Sequence, residues 1–230
     1  MITEKAFQQN LKILKERVAL ACSSENRSVN EVAILPVTKN WPVDAVHYAQ
    51  RAGFSRVGEN RVQEAMEKQE GVEEMKWDLI GHLQSNKAKL AAGRFTRIQT
   101  IDSLKLLTKI HAALLHLNEK MSFLIQVNTG RDPAKAGIIE DQCEELIEKA
   151  MAFPMLQLEG FMTIAPYAPD DPKVARNAFS RLRDLRDRMA NQFKVFYPEL
   201  SMGMTGDLHE AVAEGSTMIR VGSALFGQRD

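Results

Sequence analysis

Long apolar runs are missing from this chain. No stretch approaches the ~20 residues that a membrane-spanning helix needs, and the opening MITEKAFQQNLKILKER lacks the basic-then-apolar order of a secretory signal. The expectation is a cytoplasmic protein that does not engage a membrane. Cysteine is scarce: Cys22 and Cys143 are the only two in 230 residues, and each falls on the apolar face of a predicted helix, so they read as reduced core thiols. Five scattered histidines and no Cys/His or acidic cluster at ligand spacing leave no basis for a metal site. An excess of one charge is also lacking. Thirty Lys and Arg balance thirty Asp and Glu, so no overall field favours nucleic acid or an anionic surface. Any anion must be held by a local site.

What is present is a repeating order. A hydrophobic content of 44% with 26% charged residues suits a globular protein with a sizeable core. The first segment places Phe7, Leu11, Leu14, Val18 and Cys22 on one helical face, with Thr3 at the N-cap position. Strand-like runs then recur at VAILPVTK, SRVGEN, WDLIGH, RIQTID, SFLIQVN, LEGFMTI, ELSMGM and MIRVGS, separated by helical patterns. Ser103 precedes a face of Leu106, Ile110, Ala113 and Leu117, and Asp171-Pro172 precedes Ala178, Leu182, Leu185 and Met189. Asp207 and Glu210 have capping-box spacing. No linker or low-complexity tract interrupts the order, so one domain is expected over residues 1–230. Eight strands alternating with helices, with no antiparallel signal, favour an α/β fold: a single (β/α)8 TIM-type barrel with an extra N-terminal helix, rather than an open doubly wound sheet.

In such barrels chemistry collects at the C-terminal ends of the strands. Reading those ends in order gives Lys39, Glu59 and Asn60, His82, Asp102, Asn128, Thr163, Ser201 and Thr205, then Arg220, Gly222 and Ser223. Lys39 shares parity with Leu35 and Val37, which points its side chain into the lumen. Two readings stand for a lumenal lysine: a structural ion pair, or an amine poised to attack a carbonyl. The loop SMGMTGD (201–207) offers two glycines and two hydroxyls before a helix, and RVGS (220–223) adds another glycine-hydroxyl pair. Loops after strands seven and eight commonly hold phosphate, although glycines at such positions also simply make turns. Arg220 faces the lumen by parity and needs a partner, either Glu59 or Asp102 or a ligand. An imine-forming lysine opposite a phosphate cradle suits a sugar phosphate or pyridoxal 5′-phosphate, and spacing does not separate the two.

The segments VTKN, GENRVQE, WDLIGHLQSNK, IQTIDS, LIQVNTG, GFMTI and LSMGMTGDLHEAVAEGSTMIRVGSALFG together resemble the pyridoxal phosphate homeostasis protein family. Its barrel is similar to the N-terminal domain of alanine racemase. The resemblance runs nearly the whole chain, and it implies that Lys39 carries pyridoxal 5′-phosphate as an internal aldimine. It further implies that Ser201, Gly222 and Ser223, with Thr205 and the backbone at Met202 and Gly203, hold the phosphate. Arg220 would face the pyridine nitrogen, and Asn60 would lie near the ring. Asn40, Asp78 and the segment GRDPAKAG, which contains Lys135, depart from the family pattern, and no role is assigned to Asp78 or Lys135.

A cation beside the pyridine nitrogen disfavours protonating it, which weakens the ring as an electron sink. Racemisation also needs an acid/base group on each face, and a chain ending at Asp230 would lack the domain that gives alanine racemase its tyrosine. Tyr167 reads as a surface loop residue, Tyr48 and Tyr197 as packing residues, and His82 as a structural or supporting group. The other histidines lie in predicted helices and read as solvated or locally satisfied. Trp41 either covers the lysine strand or packs under the first helix, and the charged run RLRDLRDRM reads as a solvated face with intrahelical pairs. The expected function is to buffer or deliver pyridoxal 5′-phosphate and so maintain vitamin B6 and amino-acid balance, with little or no catalysis. A pyridoxal phosphate-dependent racemase is the alternative. The implied partners are the cofactor and, transiently, apo-enzymes that use it, and a monomer is expected.

Overall fold

Thr3 opens the first helix, α1 (Glu4–Ser24), by accepting the Ala6 N–H at 3.3 Å through its hydroxyl. The predicted stripe from Phe7 to Cys22 is buried. The computed structural model describes residues 2–227; Met1 and residues 228–230 of the expected domain lie outside them.

Strands and helices then alternate. The first half comprises β1 (Ala33–Pro36), α2 (Val43–Arg51), β2 (Arg56–Glu59), α3 (Val62–Gln69), β3 (Lys76–Leu79), α4 (Ala88–Ala91), β4 (Arg97–Ile101) and α5 (Leu104–Leu117). It continues with β5 (Met121–Gln126), α6 (Cys143–Met151), β6 (Leu156–Met162), α7 (Pro172–Phe193), β7 (Glu199–Ser201), α8 (Leu208–Ala213), β8 (Met218–Val221) and α9 (Ser223–Phe226). The eight strands lie parallel in the order β1-β8-β7-β6-β5-β4-β3-β2. A thin seam joins the ends: Val37 bridges Gly58, and the Thr38 N–H donates to Gly58 O at 3.0 Å. At this seam the Leu35 side chain lies over Gly58, where an added Cβ would come within 3.1 Å of it. The result is the nearly closed (β/α)8 barrel that the strand count predicts.

Apolar side chains pack the strands against the surrounding helices, and a second cluster places α1 over Leu208, Val212, Ile219 and Phe226. Phe7 stacks on Phe226 with centroids 5.3 Å apart. Polar bonds make α1 a buttress for the seventh and eighth loops. Arg17 Nη2 donates to Thr205 O at 2.9 Å, and Asn10 Nδ2 donates to Leu225 O at 3.0 Å. No helix among the described residues is long and apolar enough to cross a membrane.

The caps at Ser103 and Asp171 form as expected, with acceptance from Leu106 N at 3.3 Å and Lys173 N at 3.1 Å. The box at Asp207 does not. Asp207 precedes α8 but turns its carboxylate back into the loop to accept the Met204 N–H at 2.6 Å. On α5, Leu114 is buried and Leu117 is 49% exposed, because the helix ends in left-handed Asn118 just beyond the core contact. His111 is half-buried: its ring stacks on Phe153 at 4.4 Å, and its Nε2 is buried without a hydrogen-bond partner. The α7 charges are not purely intrahelical either, since Arg176 and Arg183 both bind Glu214 beyond the end of α8. Trp41 packs near α1, its ring 6.1 Å from that of Phe226.

Candidate functional site

The lumen is organised along its length. Toward the N-terminal ends of the strands, Arg97 meets Asp78, Glu159 and Glu199 at 3.0 to 3.1 Å, and Asp78 also binds Arg56. Burial opposes the Arg97 charge, but the three carboxylates together hold its pKa above the ordinary value. Next up the barrel, Gln99 Nε2 donates to Asp78 Oδ2 at 2.6 Å while its Oε1 accepts from Ser201 Oγ, also at 2.6 Å. Ser201 Oγ in turn accepts from Arg220 Nη1 at 2.8 Å. Arg220 also donates to Ser201 O at 2.7 Å and Thr163 O at 2.8 Å. Neither Glu59 nor Asp102 pairs with it. Glu59 binds Lys68 and Thr38, and Asp102 Oδ2 lies 3.2 Å from His82 Nδ1. Burial lowers the Arg220 pKa to about 10, which leaves it protonated at neutral pH.

Above Arg220 opens a cavity of about 610 Å³, within the range of small-molecule sites. Lys39 and Arg220 line it with Asn60, Thr205, Gly206, Gly222 and Ser223, and its apolar walls are Val37, Ile80, Ile164 and Met204. Among the described residues, the lining holds one lysine and one arginine and no carboxylate. In a chain of zero net charge this is the local anion-attracting site that composition demanded. Lys39 arrives there because it continues the inward parity of Leu35 and Val37, both buried. Asn60 is held close to the third strand's end, since a Cβ at Gly81 would meet Asn60 O at 2.2 Å.

Six of the nine residues expected to bind the cofactor line this cavity, and Ser201, Met202 and Gly203 do not. Ser201 is fully buried below Arg220, with its hydroxyl engaged on both sides. The Met202 N–H is taken by Met218 O at 3.1 Å, and Gly203 O accepts the Arg220 N–H at 3.0 Å. Gly203 shapes the loop: its φ is +96°, and a Cβ there would lie 2.4 Å from Ala211 Cβ. The seventh loop thus lies tight on α8, and its outer part, Thr205 and Gly206, faces the cavity.

His82 lines an adjoining hollow that shares Asn60 with the main cavity, and Tyr167 is 87% exposed. Lys135 belongs to a loop folded by Asn128, whose Nδ2 donates to Asp132 O at 2.8 Å and Lys135 O at 3.3 Å. Tyr197 packs edge-on against Phe161, and both cysteines are buried and free. Ile80 and Ile164 carry no polar signal in the sequence, yet each lies just past a strand end, where the strand-end rule places the site.

The sequence profile of the family described as alanine racemase, N-terminal domain, matches residues 2–230. A pyridoxal phosphate homeostasis protein of Aquifex aeolicus is 34% identical, covering 96% of this chain and 97% of its own length. The Escherichia coli protein of that name is 36% identical, covering 96% of each. Among structures, PipY of Synechococcus elongatus with PLP bound matches at a TM-score of 0.81 and 33% identity, over 91% of this chain and 100% of its own. Alanine racemase of Clostridium difficile, 14% identical, shares the barrel at a TM-score of 0.80, over 98% of this chain and 57% of its own. The chain belongs to the pyridoxal phosphate homeostasis protein family, built on the N-terminal domain of alanine racemase.

Proposed function

We propose that this protein binds pyridoxal 5′-phosphate and holds or hands on the cofactor as part of vitamin B6 homeostasis, with covalent attachment at Lys39 and without substantial turnover. One observation carries the reading: a single cavity joins Lys39 and Arg220 to Thr205, Gly206, Gly222 and Ser223, while the described residues lining it include no tyrosine, histidine, cysteine or carboxylate. The residues fit the group. Lys39 supplies the amine to which an aldehyde can be joined with release of water, and the outer seventh loop with Gly222 and Ser223 supplies the Thr205 and Ser223 hydroxyls and close backbone approach for a phosphate. Arg220 presents a fixed positive charge that opposes a second proton on whatever it faces. The PLP-bound PipY relative supports the choice of ligand over a sugar phosphate.

When bound, the cofactor supplies an aldehyde and an electron-accepting ring. Among the described residues lining the cavity, Lys39 is the one amine and no histidine, tyrosine, cysteine or carboxylate stands opposite it, whereas racemisation needs a second acid/base group on the other face. The proposal takes the protein as cytoplasmic and monomeric, meeting apo-enzymes that use the cofactor only transiently.

The test is to load the purified protein with pyridoxal 5′-phosphate, record its visible spectrum, reduce with borohydride and map the adduct by mass spectrometry. The adduct is expected on Lys39, and a colourless protein with no adduct there would overturn the reading. Deuterium incorporation at the α-carbon of single-enantiomer amino acids, at enzyme-like rates, would contradict the carrier role.

A further inference from the structure

Asn40, directly after the candidate amine, is left-handed at φ 57°, so the chain turns sharply at the cavity edge. The two peptide groups that meet at the Lys39 Cα are bonded to one ionic cluster. On the N-terminal side, Thr38 O accepts from Lys68 Nζ at 2.8 Å, and the same carbonyl closes a turn with the Trp41 N–H at 3.0 Å. On the C-terminal side, the Asn40 N–H donates to Glu64 Oε1. The two anchors are themselves joined, because Lys68 Nζ lies 2.8 Å from Glu64 Oε1 and 2.6 Å from Glu59 Oε1. Thr38 Oγ1 donates to that same Glu59 oxygen at 2.6 Å. Lys68 and Glu59 are 6% and 0% exposed, so water does not loosen the bonds that join them to each other and to Thr38, while the Asn40–Glu64 bond lies at the exposed edge of the cluster.

Peptide groups are planar, so anchoring the one before and the one after a residue fixes its φ and ψ together and with them the direction of its Cα–Cβ bond. From these bonds we propose that Lys68 is a positioning residue for Lys39: with Glu59 and Glu64 it locks both backbone torsions of Lys39 and aims the amine into the cavity. The inference deepens the proposed function and rests on Lys39 being the amine that receives the cofactor. Glu64 and Lys68 lie one turn apart on α3 and Glu59 ends β2, so elements of the rigid barrel hold a loop residue to the precision that reaction geometry requires.

The test uses cofactor-free protein carrying Lys68→Met, Glu64→Ala or Glu64→Gln. Each is mixed with pyridoxal 5′-phosphate, quenched with borohydride at timed intervals and scored for the Lys39 adduct, while melting curves report folding and amide exchange is followed at Asn40. Glu64→Ala removes the acceptor for the Asn40 N–H and should slow loading of Lys39 roughly 10-fold or more, as misplacement of a reacting group by about an ångström does. Its Asn40 exchange should accelerate. Glu64→Gln keeps an acceptor and should recover most of the wild-type rate at a similar melting temperature, which a merely structural role would not produce. Lys68→Met should slow loading in the same way, and if it fails to fold the two Glu64 variants decide. A folded Glu64→Ala protein that loads Lys39 at the wild-type rate overturns the proposal. Should wild-type protein itself fail to load at Lys39, the functional reading falls, and unchanged Asn40 exchange in Glu64→Ala would separately overturn the clamp.

Discussion

Replacing Gly203 by alanine should damage both the fold and the cavity, by an amount that follows from two separate obstacles. The backbone there has φ +96°, where an L residue pays about 1–2 kcal/mol for left-handed geometry. The new Cβ would also stand 2.4 Å from Ala211 Cβ and 3.3 Å from Ile219 Cγ2, and overpacking of this kind costs about 1–3 kcal/mol. Together they predict a loss of about 2–5 kcal/mol, equivalent to a melting temperature about 4–20 °C lower for a chain of this size. Urea denaturation of the cofactor-free protein measures it, as a lower midpoint at constant slope. Ala211→Gly removes the atom struck, so in that background Gly203→Ala should lose only the backbone contribution, leaving a coupling of about 1–3 kcal/mol. Retention of pyridoxal 5′-phosphate should weaken too, because Gly203 O holds the Arg220 N–H and a shifted loop would move the start of the cavity wall. A Gly203→Ala variant within about 0.5 kcal/mol of wild type, or a coupling of zero, would refute the reasoning.

Other substitutions probe separate parts of the barrel. Arg220→Met should weaken retention of pyridoxal 5′-phosphate about 10-fold or more in equilibrium dialysis, since a charged hydrogen-bond donor is worth about 1.5–3 kcal/mol; unchanged retention would remove Arg220 from the site. Asp78→Asn takes away a buried charge that faces Arg97 and Arg56, and a loss of about 3–5 kcal/mol in urea denaturation is expected, whereas a neutral result would show that Glu159 and Glu199 suffice. Burial pushes the Cys143 thiol from 9.0 up to about 12, so native protein should not react with thiol reagents at that residue near neutral pH. Because the folded pKa exceeds the unfolded one, the stability linked to this proton is complete below pH 9.0 and is lost as pH rises toward about 12; Cys143→Ala should flatten that alkaline decline in urea midpoint.

Much of this arrangement is legible in the sequence because it depends on short periods. Alternation places Lys39 and Arg220 inward, punctuation by Ser103 and Asp171 marks helix starts, and the strand-end rule collects Asn60, Thr205, Gly222 and Ser223 at one mouth. What escapes is set by contacts between distant segments. Nothing local shows that Arg17 and Asn10 on the first helix brace the seventh loop and the start of α9, some 190 to 215 positions later. Nor does the helical pattern around Lys68 reveal that its ammonium reaches back thirty residues to Thr38 O. The Asp207–Glu210 spacing misleads for a related reason: two acceptor demands competed for one carboxylate, and the loop amide of Met204 won over the helix terminus.

Ser201 shows most clearly what parity can and cannot fix. It faces inward, as its position requires, but parity gives the face of a strand and not the depth in the lumen. Strand β7 has only three residues, so its last side chain lies below the mouth, where it meets Gln99 and Arg220. Its hydroxyl donates downward to Gln99, whose amide donates onward to the Asp78 carboxylate, so every hydrogen bond in the series is polarised in one sense, from the cation at the cavity toward the anion below. That series links the buried Arg220 to the Asp78 carboxylate, and the charge of Asp207 favours its protonated form against burial, beneath a cavity whose described lining residues include no carboxylate. Ser201 therefore touches the cavity from beneath, through its bond to Arg220, and Asp78 anchors the far end of the same chain.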